Sequence, residues 1–428
     1  MTMTPIMFAA FALLIIIGVP IGWALGISAL TAIILGGGGF QIALLASRLY
    51  NANNSFVLLA IPFFILAGNL MSMGGMSRRL VDFCKALIGW ITGGLSMVAT
   101  VACFFFSALS GNNAATTAAI GGMMIPELEN NGYPRDLSSA VVAASGTTGQ
   151  VVPPSSAMVV YASIANCSLS AMFLAGFTPG IMMSVTIMIV SYFICKRLHI
   201  AGVKWGGLKN LVITFFKSIW ALLMPVIIIG GIYSGAMTAT EAAVVACVYS
   251  LVVCLLIYRE IKIKDLPKIF WKSAETTAVG MVVVTCAALF SWVLTVERVP
   301  EKLAAFILNV TDSRMIIIVL INVVLLIAGC FITPTSAIVI LAPIFLPITR
   351  QLGIHDVAFG VIMVVNLAIG SITPPVGGNL FVAQSIAGIN IESIIKRVTP
   401  YLLVLLADLL LMSIFPDILM FLPNVLGA

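Results

Sequence analysis

The stretch SITPPVGGN, residues 371–379, interrupts an otherwise apolar run. Pro374 and Pro375 cannot continue a helix, and Gly370, Gly377 and Gly378 weaken what remains of one. A break of this kind pressed against lipid would leave peptide groups unpaired, at a cost no membrane segment sustains. The break therefore predicts a polar occupant at this point of the fold.

The surrounding composition makes the membrane the relevant solvent. Of 428 residues, 61% are hydrophobic and 8% charged, and the mean hydropathy is +1.18. Apolar runs long enough to span a bilayer recur throughout, for example over 5–35, 276–294 and 402–415. The fold class expected is an all-α polytopic membrane protein, with the first run retained as a span rather than cleaved as a signal peptide. Eight cysteines lie mostly in apolar segments without metal-type spacing, and His199 and His355 have no ligand constellation around them. With no nucleophile set, metal set or paired carboxylates at membrane depth, an enzyme is excluded. Two basic connectors, Lys196 to Lys217 and Arg259 to Lys272, are short loops between spans, which argues for a cytoplasmic location and against nucleic acid.

The Pro-Pro break occurs twice. GTTGQVVPPSS, residues 146–156, carries Pro153 and Pro154, and 374 − 153 gives an offset of 221. The same offset maps Pro126 to Pro347, Gly132 to Gly353, Gly149 to Gly370 and Thr178-Pro179 to Thr399-Pro400. It also pairs two polar interruptions, SGNNAAT (110–116) and FITPTSA (331–337). Each half then reads as a re-entrant hairpin with a polar tip, followed by a broken helix. The expected organisation is a first repeat over 1–197, a connector and linking span over 198–237, and a second repeat over 238–428. Spans are expected near 5–35, 55–73, 136–175 (broken) and 180–196, with hairpin 1 near 93–130. Four crossings plus an extra span near 217–235 invert the second copy, an arrangement that points to a secondary transporter with its site at mid-membrane. An amphipathic arm helix is expected over 74–89, with Met76, Leu80, Cys84 and Leu87 on its apolar stripe, and a counterpart over 299–308.

Interrupted helices expose carbonyls on one arm and amides on the other, suiting a small cation and an anion respectively. Two sodium sites are expected. The first comprises Ser110, Gly111, Asn112, Asn113, Gly146, Thr147, Gly149, Val152 and Pro153; the second comprises Thr333, Thr335, Asn366, Gly370, Ser371, Thr373 and Pro374. An anionic substrate between them would meet Asn113, Thr116, Ser155, Ser336, Gly377 and Asn379. No carboxylate lies in either set, which favours Na⁺ over H⁺ as the coupling ion, and no cofactor is expected. Glu127, Glu129, Asp136 and Asp356 read as loop residues, Glu241 as part of a capping box with Thr238, and Asp408 as a deep acid with no evident partner.

These residues resemble the large membrane subunit of the tripartite ATP-independent periplasmic (TRAP) transporters. AIPFFILAGNLM (60–71), GGMSRRLVDF (74–83), AASG with VVPPS (143–155), PVIIIGGIYSGAMTATEAA (225–243), TPTSA with LAPIFLPI (333–348) and ITPPVGGNLFV (372–382) look like its signature stretches, and the likeness covers nearly the whole chain. The resemblance implies an inverted-repeat, elevator-type, sodium-driven importer of an organic acid anion such as a C4-dicarboxylate or sialic acid. It also implies a multi-pass protein of the bacterial inner membrane, a small membrane subunit as a separate chain, and a periplasmic substrate-binding protein. The alternative within the same architecture is a self-sufficient Na⁺-coupled carboxylate symporter or exchanger. Family members commonly carry an acidic residue beside each tip; here Phe331, Ile332 and Thr116 stand at those places, so no carboxylate role is carried over.

Overall fold

The computed structural model describes residues 3–36, 42–300, 302 and 313–427, and all regular structure among them is helical. Six of these helices are long and apolar enough to cross a membrane, or seven if the bent pair Leu45–Asn53 and Val57–Met73 counts as one span.

The expected single span over 5–35 is instead two helices, α1 (Met3–Ile16) and α2 (Ile21–Leu35). Gly18, at φ +87°, and Pro20 end the first and start the second. The chain doubles back there, so that Met3 lies beside Gly36. Helices α3 (Ile42–Asn53) and α4 (Ala60–Met73) meet at a 56° bend. Amphipathic α5 (Met76–Ile88) buries Met76, Leu80 and Cys84 as expected, whereas Leu87 is exposed. Two of its three cations are engaged at the surface, Arg79 by Glu260 and Lys85 by Glu127.

Helices α6 (Gly94–Ser110) and α7 (Asn113–Asn130) form the first hairpin, turned at Gly111 with φ +59°. The broken helix follows as α8 (Arg135–Gly146), a tight turn over Thr147–Gln150, the Pro-Pro segment, and α9 (Ser156–Ala165). It ends earlier than the expected 175. Asn166 adopts a left-handed conformation and the Ser168 hydroxyl caps the next helix, so α10 (Leu169–Arg197) begins before Pro179 and carries that proline inside it.

The second half runs through α11 (Gly207–Tyr233), α12 (Ala239–Val252), α13 (Leu266–Val296), the hairpin α14 (Arg314–Phe331) and α15 (Pro334–Gln351), and the broken helix α16 (Asp356–Gly370) and α17 (Gly378–Ala387). Helices α18 (Ile391–Ile414) and α19 (Asp417–Leu426) complete it. The arm-helix counterpart over 299–308 lies, apart from 299, 300 and 302, outside the described residues. At the offset of 221, residues 3–16 fall on 224–237. The expected linking span is therefore part of α11 and stands in the place that α1 holds in the first half.

The halves interlock by exchanging partners. Helix α2 packs on α13 while α12 packs on α4, and α9 packs on α15 while α17 packs on α7. Both Pro-Pro peptide bonds, 153–154 and 374–375, are cis. The acids expected in loops lie in the end turns of helices and are paired: Glu127 with Lys85, Glu129 with Arg135, Asp136 with Arg397 at 2.8 Å, and Asp356 with Arg350 at 2.7 Å. Glu241 forms the capping box with Thr238. Asp408 does have a partner, the Thr186 hydroxyl of α10, which donates to it at 2.7 Å.

Candidate functional site

Four helices start at one place because each break restarts with a capping residue. The Asn112 side chain accepts from Ala115 N–H at the start of α7, Ser155 from Met158 N–H at α9, and Thr333 from Ser336 N–H at α15. Gly377, at φ +63°, precedes α17, and its own N–H donates to the Cys330 carbonyl. The positive ends of all four helices border one cavity of about 560 Å³.

Its polar lining comes from both halves: Asn112, Asn113, Gln150 and Ser156 from the first, and Thr276, Thr333, Thr335, Ser336, Ser371 and Asn379 from the second. Ile61 and Ile65 of α4, Ile21 of α2 and Val283 of α13 close the apolar side. No charged side chain among the described residues lines it. The halves are also bonded to each other here. Asn113 Nδ2 donates to Ser371 Oγ at 3.2 Å, and Asn379 Nδ2 donates to the Ala143 carbonyl of α8 at 3.4 Å.

Beside the cavity, the first tip closes on its break without a spare atom. A Cβ on Gly149 would stand 2.6 Å from the Asn112 carbonyl oxygen and 2.7 Å from Thr116 Oγ1. Ser110 Oγ lies 2.6 Å from the same Thr116 hydroxyl. Three oxygens thus gather over one glycine. Gly146 likewise abuts the Thr117 side chain. Thr147 is occupied locally, its hydroxyl donating to the Ala144 carbonyl. Val152 and Pro153 turn the other way: Val152 packs on Gly180 of α10, and Pro153 faces Phe173 and Ile228. Their side chains contribute nothing to the oxygen cluster.

The second set is divided. Thr333, Thr335 and Ser371 line the cavity, and Gly370 packs directly on Gly329 of α14, where a Cβ would stand 2.6 Å from its Cα. Thr373 donates back to Ile369, and Pro374 lies close to Cys330. Asn366 belongs to a separate polar chain. Its amide donates at 2.9 Å to both oxygens of Asn322, whose own amide donates to Ser413. Of the expected substrate contacts, Asn113, Ser336 and Asn379 line the cavity. Thr116 serves the tip cluster, Ser155 is spent as a cap, and Gly377 yields its place on the wall to Gly378.

Four buried oxygens in this region, Asn113 Oδ1, Thr117 Oγ1, Gln150 Oε1 and Asn366 Oδ1, have no hydrogen-bond partner. Each such orphan costs about 1–3 kcal/mol unless something completes it. All four can accept, so a cation fits what they lack. Thr117 and Asn322 were not among the expected site residues. A lone Asn within the apolar run of α14 was the available signal for Asn322.

The family model for the tripartite ATP-independent periplasmic transporter, DctM component, matches residues 8–418. The chain is 42% identical over 383 residues to the C4-dicarboxylate TRAP transporter large permease protein DctM of Pseudomonas aeruginosa, covering 90% of both chains. It is 35% identical to the sialic acid TRAP transporter large permease protein SiaM of Vibrio cholerae, over 96% of both. With the isethionate TRAP transporter permease protein DctMQ of Oleidesulfovibrio alaskensis it shares 41% identity, across 97% of this chain and 66% of that one. Among solved structures, its fold is similar to the YdaH transporter of Alcanivorax borkumensis, at TM-score 0.67 and 15% identity over 86% of each chain. These relatives are transport proteins and not enzymes, and this chain belongs to their family: it is the large membrane subunit of a TRAP transporter, a multi-pass protein of the inner membrane.

Proposed function

We propose that this subunit imports an organic acid anion, driven by Na⁺, by moving its two hairpins and two broken helices as one body against a scaffold built on α2, α4, α12 and α13. The observation that carries the reading is the uncharged cavity at four helix starts, flanked by buried oxygens that lack partners. Amide ends attract the anion's carboxylate. Neutral oxygens suit Na⁺, which needs no titratable ligand. In this scheme Ser110, Thr116 and the Asn112 carbonyl hold one ion near Gly149, and Thr333, Thr335, Ser371 and Thr373 hold a second. Asn113 Oδ1, which has no partner, adds to the first ion, and Ser336 and Asn379 meet the anion. Each Na⁺ entering contributes about 2.3 kcal/mol per 100 mV of membrane potential.

An inverted orientation follows from five crossings per half. In the first half these are α1, α2, α3 with α4, the broken helix α8–α9, and α10; in the second they are α11, α12, α13, α16–α17 and α18. The odd number turns the second half over without a linking span. Bonds between helix ends and connectors agree with this count. Arg79 and Glu260, Lys85 and Glu127, and Asp136 and Arg397 pair on the side assigned to the cytoplasm. Thr240 with Phe56, and Arg350 with the Ala165 carbonyl, meet on the other. The hairpins then enter from opposite faces.

The relatives' names support an organic acid as cargo: a C4-dicarboxylate, a sialic acid and an isethionate transporter are among them. A small membrane subunit and a periplasmic binding protein complete the system in this reading. Proteoliposomes holding the large subunit with both partners should accumulate the anion under an inward Na⁺ gradient, and those holding the large subunit alone should not. Accumulation by the large subunit alone would instead establish a self-sufficient symporter.

A further inference from the structure

Away from the central cavity, a second pocket of about 300 Å³ opens between α5, the connector before α11, and the first turns of α11. Arg79, Lys85, Lys204 and Lys217 line it, against one carboxylate, Asp82. Arg79 is already held by Glu260 and by the face of Tyr258, 3.8 Å from its guanidinium, and Lys85 is held by Glu127. Lys204 and Lys217 have no carboxylate within ion-pair reach among the described residues. Two positive charges therefore point at a cavity that offers them a single exposed acid.

The walls are fixed by backbone. Val203 N–H donates to the Gly89 carbonyl at 2.9 Å, which ties the connector to the end of α5. Trp90 and Trp205 stand at the rim, 53% and 60% exposed, and the Trp90 indole donates to Leu87. Exposed tryptophans beside lysines mark the headgroup level of a bilayer. On α11, Ile213 and Trp220 are exposed one turn to either side of Lys217, an apolar track beside the charged mouth.

We propose that this pocket holds the phosphate of an anionic phospholipid from the cytoplasmic leaflet, with its acyl chains lying along α11, so that the lipid fastens the amphipathic α5 to the scaffold. Basic pockets between helices on this face recognise such headgroups, and lysines serve as point charges for phosphate. The connector's basic character places the pocket at the cytoplasmic surface independently of how the central cavity binds ions. A net excess of positive charge, rather than a balanced pair, selects an anionic over a zwitterionic headgroup.

The test compares the complex in nanodiscs of phosphatidylcholine doped with phosphatidylglycerol, reading lipid retained by native mass spectrometry and the melting temperature. Phosphatidylglycerol should be retained and should raise the melting temperature. Lys204→Ala/Lys217→Ala should lose at least about tenfold in apparent affinity, roughly 1.4 kcal/mol. Lys209→Ala, which removes an exposed lysine outside the pocket, should behave as the parent. Melting in pure phosphatidylcholine reports whether each variant folds, and Lys217→Gln alone serves if the double variant does not. Equal retention in parent and pocket variants overturns the proposal. So does an equal loss in Lys209→Ala, equal retention of phosphatidylethanolamine, or full displacement by millimolar inorganic phosphate, which would make this a free-anion site.

Discussion

Gly149 is the residue on which the proposed first ion site turns, because the tip of hairpin 1 rests where its side chain would be. Gly149→Ala puts a methyl group 2.6 Å from the Asn112 carbonyl oxygen, and that backbone atom cannot yield without moving the tip. We expect uptake to fall at least about tenfold and stability to drop by about 1–3 kcal/mol, as overpacked sites do. Gly122→Ala, where nothing lies within 4 Å, is the matched control and should leave both unchanged. Asn113 carries two duties, a bond to Ser371 and an oxygen without a partner. In Asn113→Ala the Na⁺ concentration for half-maximal uptake should rise about tenfold, near 1.4 kcal/mol. An unchanged Na⁺ dependence would remove this side chain from the proposed ion site.

At the scale of elements, the breaks and tips were legible because proline and glycine state their effects locally. SGNN, TPTS and both Pro-Pro pairs fall at helix ends. Helix boundaries were less legible where the signal was a residue of either habit. Pro179 suggested a boundary yet rides inside α10, because Asn166 and Ser168 had already ended one helix and capped the next. Gly18 and Pro20 divide the first apolar run, a cue that hydropathy alone overrode. The roles of neighbouring serines were also beyond the sequence. Ser155 caps α9 and Ser156 faces the cavity, and only the fold decides which does which. Ser155→Ala should therefore cost about 1 kcal/mol of stability through the lost cap while the folded fraction keeps its transport rate. Full stability with lost transport would return Ser155 to the substrate.

For the whole molecule, the exchange of partners between halves sets the boundary that the proposed motion would cross. Ser291 of α13 donates to the Val339 carbonyl of α15, a contact between the proposed scaffold and the proposed moving body. In a background lacking the eight native cysteines, Ser291→Cys/Val339→Cys should cross-link and stop uptake until reduced. A pair within the scaffold, Phe56→Cys/Thr240→Cys, should cross-link without effect. The expected orientation drew on charge and the 221-residue offset, and the extra span it counted is part of α11, which stands where α1 stands in the first half. The breaks and tips were legible as a neighbourhood and not as a residue list, since the side chains of Val152, Pro153 and Asn366 point elsewhere and Thr117 was silent. The most direct test of the whole reading is the Na⁺ dependence of anion uptake in proteoliposomes of the complete complex, with the membrane potential clamped by K⁺ and valinomycin. Two ions held by the tips and breaks predict a sigmoidal rise with Na⁺ and no uptake in choline; a rate indifferent to Na⁺ would contradict the account.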